Sequence, residues 1–248
     1  LSVQYSSMGG SSLLGYGWSL GGLSVIGRTG RNQFHDGTTS SVGYTINDRF
    51  VINGQRLKLI TGSYGVSGSV YALENEGFER ITAFGGTDGD PLYFVMETKD
   101  GVKYEYGKEF NSRQENFEGK AINWHLCKMI FPDGNYISYR YKTDHNLSGN
   151  MWYEHVIDEI HYTGNDVASI TPFAIVKFTY LKRTEETIRY QGGSHETNGL
   201  LITNITISTE GQNVKFYDFL YGYRNGNSFL NEIRERSADQ TVIHNTAF

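Results

Sequence analysis

The sequence predicts an all-β protein, a large antiparallel meander of stacked hairpins, and three observations predict it. Thirty glycines, eighteen tyrosines and fourteen phenylalanines stand against three prolines and four methionines, and aromatic residues suit pleated, half-buried surfaces. Apolar residues recur with a period of two, and no stretch beyond about ten residues carries a helical period. Asn-Gly and Asp-Gly pairs punctuate the alternating runs at Asn53-Gly54, Asp100-Gly101 and Asp133-Gly134, because a tight hairpin turn needs positive φ at its centre.

Taken in order, Leu1–Tyr5 reads as a short strand, followed by a Ser/Gly turn. In Leu13–Leu23 the even positions Leu14, Tyr16, Trp18 and Leu20 are bulky, and Gly15, Gly17, Ser19 and Gly21 between them are minimal. That period predicts one strand with a core face and a face that another backbone approaches closely. Gly21-Gly22 reads as a bulge that re-aims it. Trp18 is then a core residue, and Trp18→Gly is expected to unfold the chain.

Residues 32–42 read as a polar connection. Asn53-Gly54 joins Phe50–Ile52 to Gln55–Leu59. A second hairpin spans Val70 to Phe84 with its turn at Glu76-Gly77, and a third joins Leu92–Glu97 to Val102–Tyr106. Residues 108–120 read as a charged loop, with a short helix as the alternative. Ile122–Ile130 turns at Pro132–Asn135, where Pro pre-sets the first turn position, into Tyr136–Tyr141. Further strands are expected at Val156–Tyr162, Ile175–Leu181, Thr187–Tyr190, Leu200–Ser208, Val214–Tyr223, Phe229–Arg236 and Thr241–Phe248. A loose repeat of strand, Asp-Gly and Tyr-rich strand links Lys99–Tyr106 with Pro132–Tyr141, so each unit buries its apolar face against its neighbours.

The net charge of −5 is dispersed and forms no basic stripe, which argues against nucleic acid as a partner. No apolar run approaches the roughly 18–20 residues of a membrane helix. A single cysteine, Cys127, excludes an internal disulfide framework. Both ends alternate like strands in progress, so residues 1–248 are expected to be one region of a longer protein.

Several stretches together resemble the N-terminal domain of the SpvB family, which also begins the TcB component of Tc insecticidal toxins. They are Leu1–Ser7, Gly15–Leu20, Gly22–Arg28, Asp48–Leu57, Phe94–Gly101 leading to Tyr106-Gly107, Trp124–Leu126 and Asp133–Tyr139. The resemblance implies a Rhs/TcB-like β-shell segment, of the kind that Tc toxins join to Rhs/YD repeats winding into a cocoon around a toxic polypeptide. Residues resembling the family's separate ADP-ribosyltransferase domain, a β-propeller or a long run of YD repeats do not occur in this sequence.

His125 and Cys127 have the spacing of two metal ligands on one strand face, but no second pair accompanies them, and a buried thiol beside a hydrogen-bonded imidazole is preferred. Asp88 and Asp90 supply too few oxygens for calcium. Glu97 with Asp100, and Asp158 with Glu159, lie close in sequence, but glycoside hydrolysis needs two carboxyls flanking one cleft; solvated charges are preferred. Ser194-His195-Glu196 reads as a polar loop without a nucleophile elbow. Gly9-Gly10 and Gly21-Gly22 lack the setting of a phosphate loop. The alternating tyrosines are expected in the core and in cross-strand pairs.

The expected catalytic, cofactor-binding and metal residues are therefore none. The expected function is a non-enzymatic wall segment of a secreted or surface bacterial protein that encloses or presents a toxin polypeptide. Its partners are the remainder of its own chain, that polypeptide and other toxin-complex subunits. The alternative is a surface carbohydrate-binding or adhesive module.

Overall fold

The alternating runs pair as hairpins in chain order, as their turn residues dictate. The computed structural model describes residues 1–248 apart from 76, 88, 110, 117, 146–152 and 192–193. The chain opens with β1 (Ser2–Tyr5), β2 (Ser11–Ser12), β3 (Gly15–Tyr16) and β4 (Trp18–Gly21), where β1 pairs with β4 and β2 with β3. After β5 (Val25–Thr29) comes one helical turn, α1 (Gln33–Asp36). The Asn32 side chain caps it by accepting the His35 N–H, and Gly37 ends it at φ 65°. The polar connection expected there is thus partly helical, because Asn32 and Gly37 are well suited as caps.

Six short strands follow: β6 (Arg49–Ile52), β7 (Gln55–Thr61), β8 (Val70–Leu73), β9 (Arg80–Phe84), β10 (Tyr93–Glu97) and β11 (Lys103–Tyr106). Asn53 and Gly54 adopt φ 50° and 77°, the doubly positive turn that Asn-Gly favours. The expected charged loop at 108–120 contains a short strand, β12 (Arg113–Glu115), and leads to β13 (Ala121–Ile130). The remaining strands are longer: β14 (Asn135–His145), β15 (Tyr153–Asn165), β16 (Ala174–Gln191), β17 (Ser194–Thr209), β18 (Gln212–Arg224), β19 (Asn227–Ser237) and the final β20 (Val242–Ala247). Two expected strands, Ile175–Leu181 and Thr187–Tyr190, are one strand whose register with β17 shifts between Lys182 and Thr187.

β13 organises the architecture. Along one edge it pairs with β11 and then β12. Along the other, Asn123–His125 pair with β5 and Lys128–Ile130 pair with β14. With the hairpin sequence from β5 to β11, this closes β5, β6, β7, β8, β9, β10, β11 and β13 into an antiparallel barrel. β14 leaves the same edge that receives β5, and β14–β20 continue as a long sheet. β13 is therefore a fork shared by barrel and sheet.

The barrel is filled by Phe50, Tyr71, Phe94 and Trp124, each 0–1% exposed, with the Phe50, Phe94 and Trp124 rings 5.1–5.3 Å apart in edge-on contact. Edge-to-face packing suits aromatic quadrupoles. Arg28 is buried among them. Its Nε donates to the Ala121 carbonyl at 2.7 Å and Nη1 to the Gly89 carbonyl at 2.7 Å, while Nη1 meets Asp48 at 3.1 Å and Nη2 meets Asp90 at 2.6 Å. The guanidinium also lies 5.3 Å from the Trp124 ring centroid. A buried cation of this kind needs full pairing, and three separate parts of the chain, around Asp48, Gly89-Asp90 and Ala121, supply it.

Candidate functional site

Residues 13–23 do not form the single alternating strand that the sequence predicts, whereas the short strand expected at the start of the chain is β1. Gly15, Gly17 and Gly22 all have positive φ, which bends the stretch into two short strands. Leu14 is fully buried, but Tyr16 is 40% exposed and Trp18 half-buried. Trp18 packs between Tyr5 and Phe248, with ring centroids 5.1 and 4.5 Å away, so it sits at the edge of the core. The expected close approach of a second backbone is present: a Cβ at Gly15 would lie 2.7 Å from the Ser228 carbonyl oxygen.

This N-terminal segment clamps across the long sheet. Arg183 of β16 donates to Ser11 Oγ and to the Ser12 carbonyl, and also to the Leu200 carbonyl at 2.9 Å. The Ile202 N–H donates to the Leu13 carbonyl at 2.8 Å, and Asn198 Nδ2 to the Ser11 carbonyl at 3.1 Å. Between β1, β4 and the sheet runs an apolar groove of about 550 Å³, lined by Val3, Leu20, Ile137, Ile160, Ile205 and Phe219 among others.

The opposite, polar side holds a second hollow of about 480 Å³ beside Glu109 and Asn111. There the sequence neighbours Asp158 and Glu159 come together, as spacing alone did not predict. The β14–β15 register jumps from Arg140↔Glu159 to Tyr141↔Ile157, leaving Asp158 as the extra residue of a bulge, so both carboxylates line one hollow. Each is committed to a lysine, Asp158 to Lys142 at 3.1 Å and Glu159 to Lys177 at 2.8 Å, and His161 Nε2 also lies 2.8 Å from Glu159. Hydrogen bonds from Lys177 and His161 hold the Glu159 carboxyl below its usual range, whereas a general acid needs a raised value.

Cys127 borders the same hollow and is fully buried, its thiol donating to the Glu105 carbonyl at 3.2 Å; burial pushes its pKa up. That position matches the buried thiol expected. His125 is different. Instead of a hydrogen bond at Nε2 it has a stacking partner, His155, with centroids 4.4 Å apart. Among the described residues no group of three or more His, Cys, Asp or Glu side chains converges as metal ligands do.

Asp90 accepts from Arg28, from Arg113 at 2.6 Å and from the Ala121 N–H, which leaves its carboxylate occupied; Asp88 lies outside the described residues. Glu97 pairs with Lys103 across its hairpin, and Asp100 is exposed, so they share no cleft. Ser194-His195-Glu196, read as a loop, instead open β17 opposite Arg189–Gln191. Gly192, Gly193 and Glu76, read as turn residues, lie outside the described residues. Several tyrosines are core residues whose hydroxyls cap strand carbonyls: Tyr141 donates to Leu126 at 2.8 Å, Tyr221 to Ile202 at 2.6 Å and Tyr180 to Ile157.

A sequence profile described as SpvB, Salmonella virulence plasmid 65kDa B protein, matches residues 1–198. The chain belongs to the SpvB family. The fold agrees with solved structures. The N-terminal domain of effector protein SpvB from Salmonella typhimurium strain LT2 superposes with a TM-score of 0.78 at 18% identity, covering 95% of this chain and 92% of that one. The TcdB2-TccC3-Cdc42 structure matches with a TM-score of 0.76 at 17% identity over 97% of this chain. A Photorhabdus luminescens Tc holotoxin pore carrying the TccC3-D651A mutation gives 0.75 at 16% over the same share. This chain spans 14% of the length of those two toxin chains. No curated protein matches the sequence. Among the described residues of this SpvB-family chain, no helix is long and apolar enough to cross a membrane.

Proposed function

We propose that this chain is a non-enzymatic structural segment of a secreted bacterial protein of the Rhs/Tc-toxin kind. It forms part of a β wall that encloses or presents a toxin polypeptide. The observation that carries this reading is the clamp of residues 1–23 across β16, β17 and β19. A sheet of long strands is stiffened when one face is backed by the same chain, and its interior edges are already paired. Occupation of both Asp158 and Glu159 by cations also favours a structural role over catalysis.

The partners implied are the remainder of the chain, the enclosed polypeptide and other toxin-complex subunits, with neither nucleic acid nor a membrane span. The test is the intact mass and C-terminal sequence of the natural protein. A mass several times the 28.0 kDa of these 248 residues, with Tyr-Asp-Gly repeats beyond Phe248, is expected. A natural product ending near Phe248 would leave nothing to enclose.

One observation favours a second reading, a carbohydrate-binding module. The polar hollow places Tyr136 and Tyr139 beside Arg140, Lys128 and the two carboxylates, and ring faces with convergent polar groups suit ligand capture. Binding on a glycan array that Tyr136→Ala abolishes would support it; an array without signal would remove it.

A further inference from the structure

We propose that the His125–His155 stack is an acid-operated latch on the fork in β13. A proton on either ring would open the seam between barrel and long sheet, while the hairpins on each side stay folded. His125 sits where β5 ends its pairing with β13 and before β14 begins it; its own N–H and carbonyl bond to Ser112 and Gly107 on the other edge, and the Leu126 N–H bonds to the Ser24 carbonyl. From β13 toward β14 and β15, side chains bridge the interval between the two pairings. His155 of β15 stacks on His125 with centroids 4.4 Å apart, and Tyr141 of β14 lies 4.8 Å from His125 and 5.4 Å from His155. Nε2 of each imidazole is shielded from solvent and makes no hydrogen bond.

The surroundings favour neutral rings. From β14, Thr143 Oγ1 meets His155 Nδ1 at 3.2 Å. On β13 itself the nearest titratable group is the Cys127 thiol. From residues 108–112, the Ser112 carbonyl takes the His125 backbone N–H, and Glu109 faces the neighbouring hollow. Glu105, tied to Lys108, lies beside Cys127. On the far side, His155 lines a cavity of about 250 Å³ with Ser11, Glu154, Arg189 and Thr197 among others. Glu154 accepts the Gly199 N–H at 2.6 Å, and Arg189 brings a positive charge that opposes a further proton.

Burial holds His125 well below its ordinary value, and the charge of His155 adds to this. Burial takes His155 down to about 4, against a smaller opposing pull from the Asn111 backbone. The closed form thus binds these protons more weakly than an open one, whose histidines titrate near about 6.5. Stability of the seam is complete above that value and falls as pH drops below it, for His155 until about pH 4. Between pH 7 and pH 5 the open fraction should rise about 20-fold if one ring couples, and about 500-fold if both do.

Cys127 is the reporter, being the only cysteine, fully buried and two residues from His125. Its modification by 4,4′-dithiodipyridine, which reacts with thiols in acid, is measured at pH 7 and pH 5. Each rate is divided by that of the urea-unfolded chain at the same pH. The expected result is a rise of at least tenfold at pH 5, with the far-ultraviolet dichroism unchanged and the rise lost in His125→Phe/His155→Phe. If that double variant does not fold, hydrogen exchange on the wild type decides. Protection should fall at pH 5 in β13 and β15 and persist in β8 and β9, after correction for intrinsic rates. Equal protection of Cys127 at both pH values, a rise that survives in the folded variant, or loss of protection throughout the chain would overturn the proposal.

Discussion

Gly15 lies directly beneath the backbone of Ser228: a Cβ added to it would stand 2.7 Å from the Ser228 carbonyl oxygen. With φ at +86° the residue is also in the half of conformational space that side chains disfavour. Gly15→Ala therefore combines strain with a clash against a rigid strand. It should cost about 1–3 kcal/mol, read from the urea midpoint. It should also expose residues 1–23 to limited proteolysis before the barrel is cut. Wild-type resistance in that variant would refute the clamp.

Arg28 is held by two buried carboxylates and two backbone carbonyls. Arg28→Met leaves Asp48 and Asp90 buried without this cation, a loss of about 3–5 kcal/mol. Arg28→Lys should recover little, because one ammonium cannot reach acceptors spread around a planar fork. Chemical denaturation of both variants is the measurement, and a loss below about 1 kcal/mol for Arg28→Met would contradict the pairing.

Trp18 is half-buried between Tyr5 and Phe248, so Trp18→Gly should destabilise without abolishing the fold. A cost of about 1–3 kcal/mol is expected, below the 3–5 typical of a fully buried aromatic. Complete unfolding would mean that the residue is central to the core after all. Retention of full stability would mean that its contacts with Tyr5 and Phe248 carry no weight.

Glu159 has a lowered pKa, chiefly through its hydrogen bond to Lys177 and then through His161. Its contribution is present above the ordinary glutamate value of about 4.3 and is lost as pH falls through the lowered one. Glu159→Gln should flatten that part of the acid unfolding profile by well under 1 kcal/mol, because the pair is partly exposed. An unchanged profile between pH 5 and pH 3 would show that the contacts contribute nothing.

Local features of this fold were legible wherever turn chemistry decides them. Asn53-Gly54 and Asp100-Gly101 mark hairpins because their backbone angles exclude most other residues, and the strands flanking them stand within a few positions of expectation. Leu13–Leu23 misled because its side-chain period matches a strand, whereas Gly15 and Gly17 use their freedom to turn. Barrel closure was not legible, since β13 meets β5 across about a hundred residues and no local pattern encodes that pairing. The same holds for Arg28, whose partners Asp48 and Asp90 are distant in sequence, and for His155, which the sequence offered no reason to join to His125. Asp158 and Glu159 share a face only because of a bulge, and a strict period of two places them on opposite faces.

The central claim is containment, and protease protection in the natural full-length protein tests it most directly. The polypeptide following the wall would be followed by mass spectrometry during digestion, first in the intact protein and then after Gly15→Ala. The polypeptide should survive in the intact protein under conditions that destroy it when isolated, and be cut sooner in the variant. Digestion at the rate of the isolated polypeptide would show that nothing is enclosed.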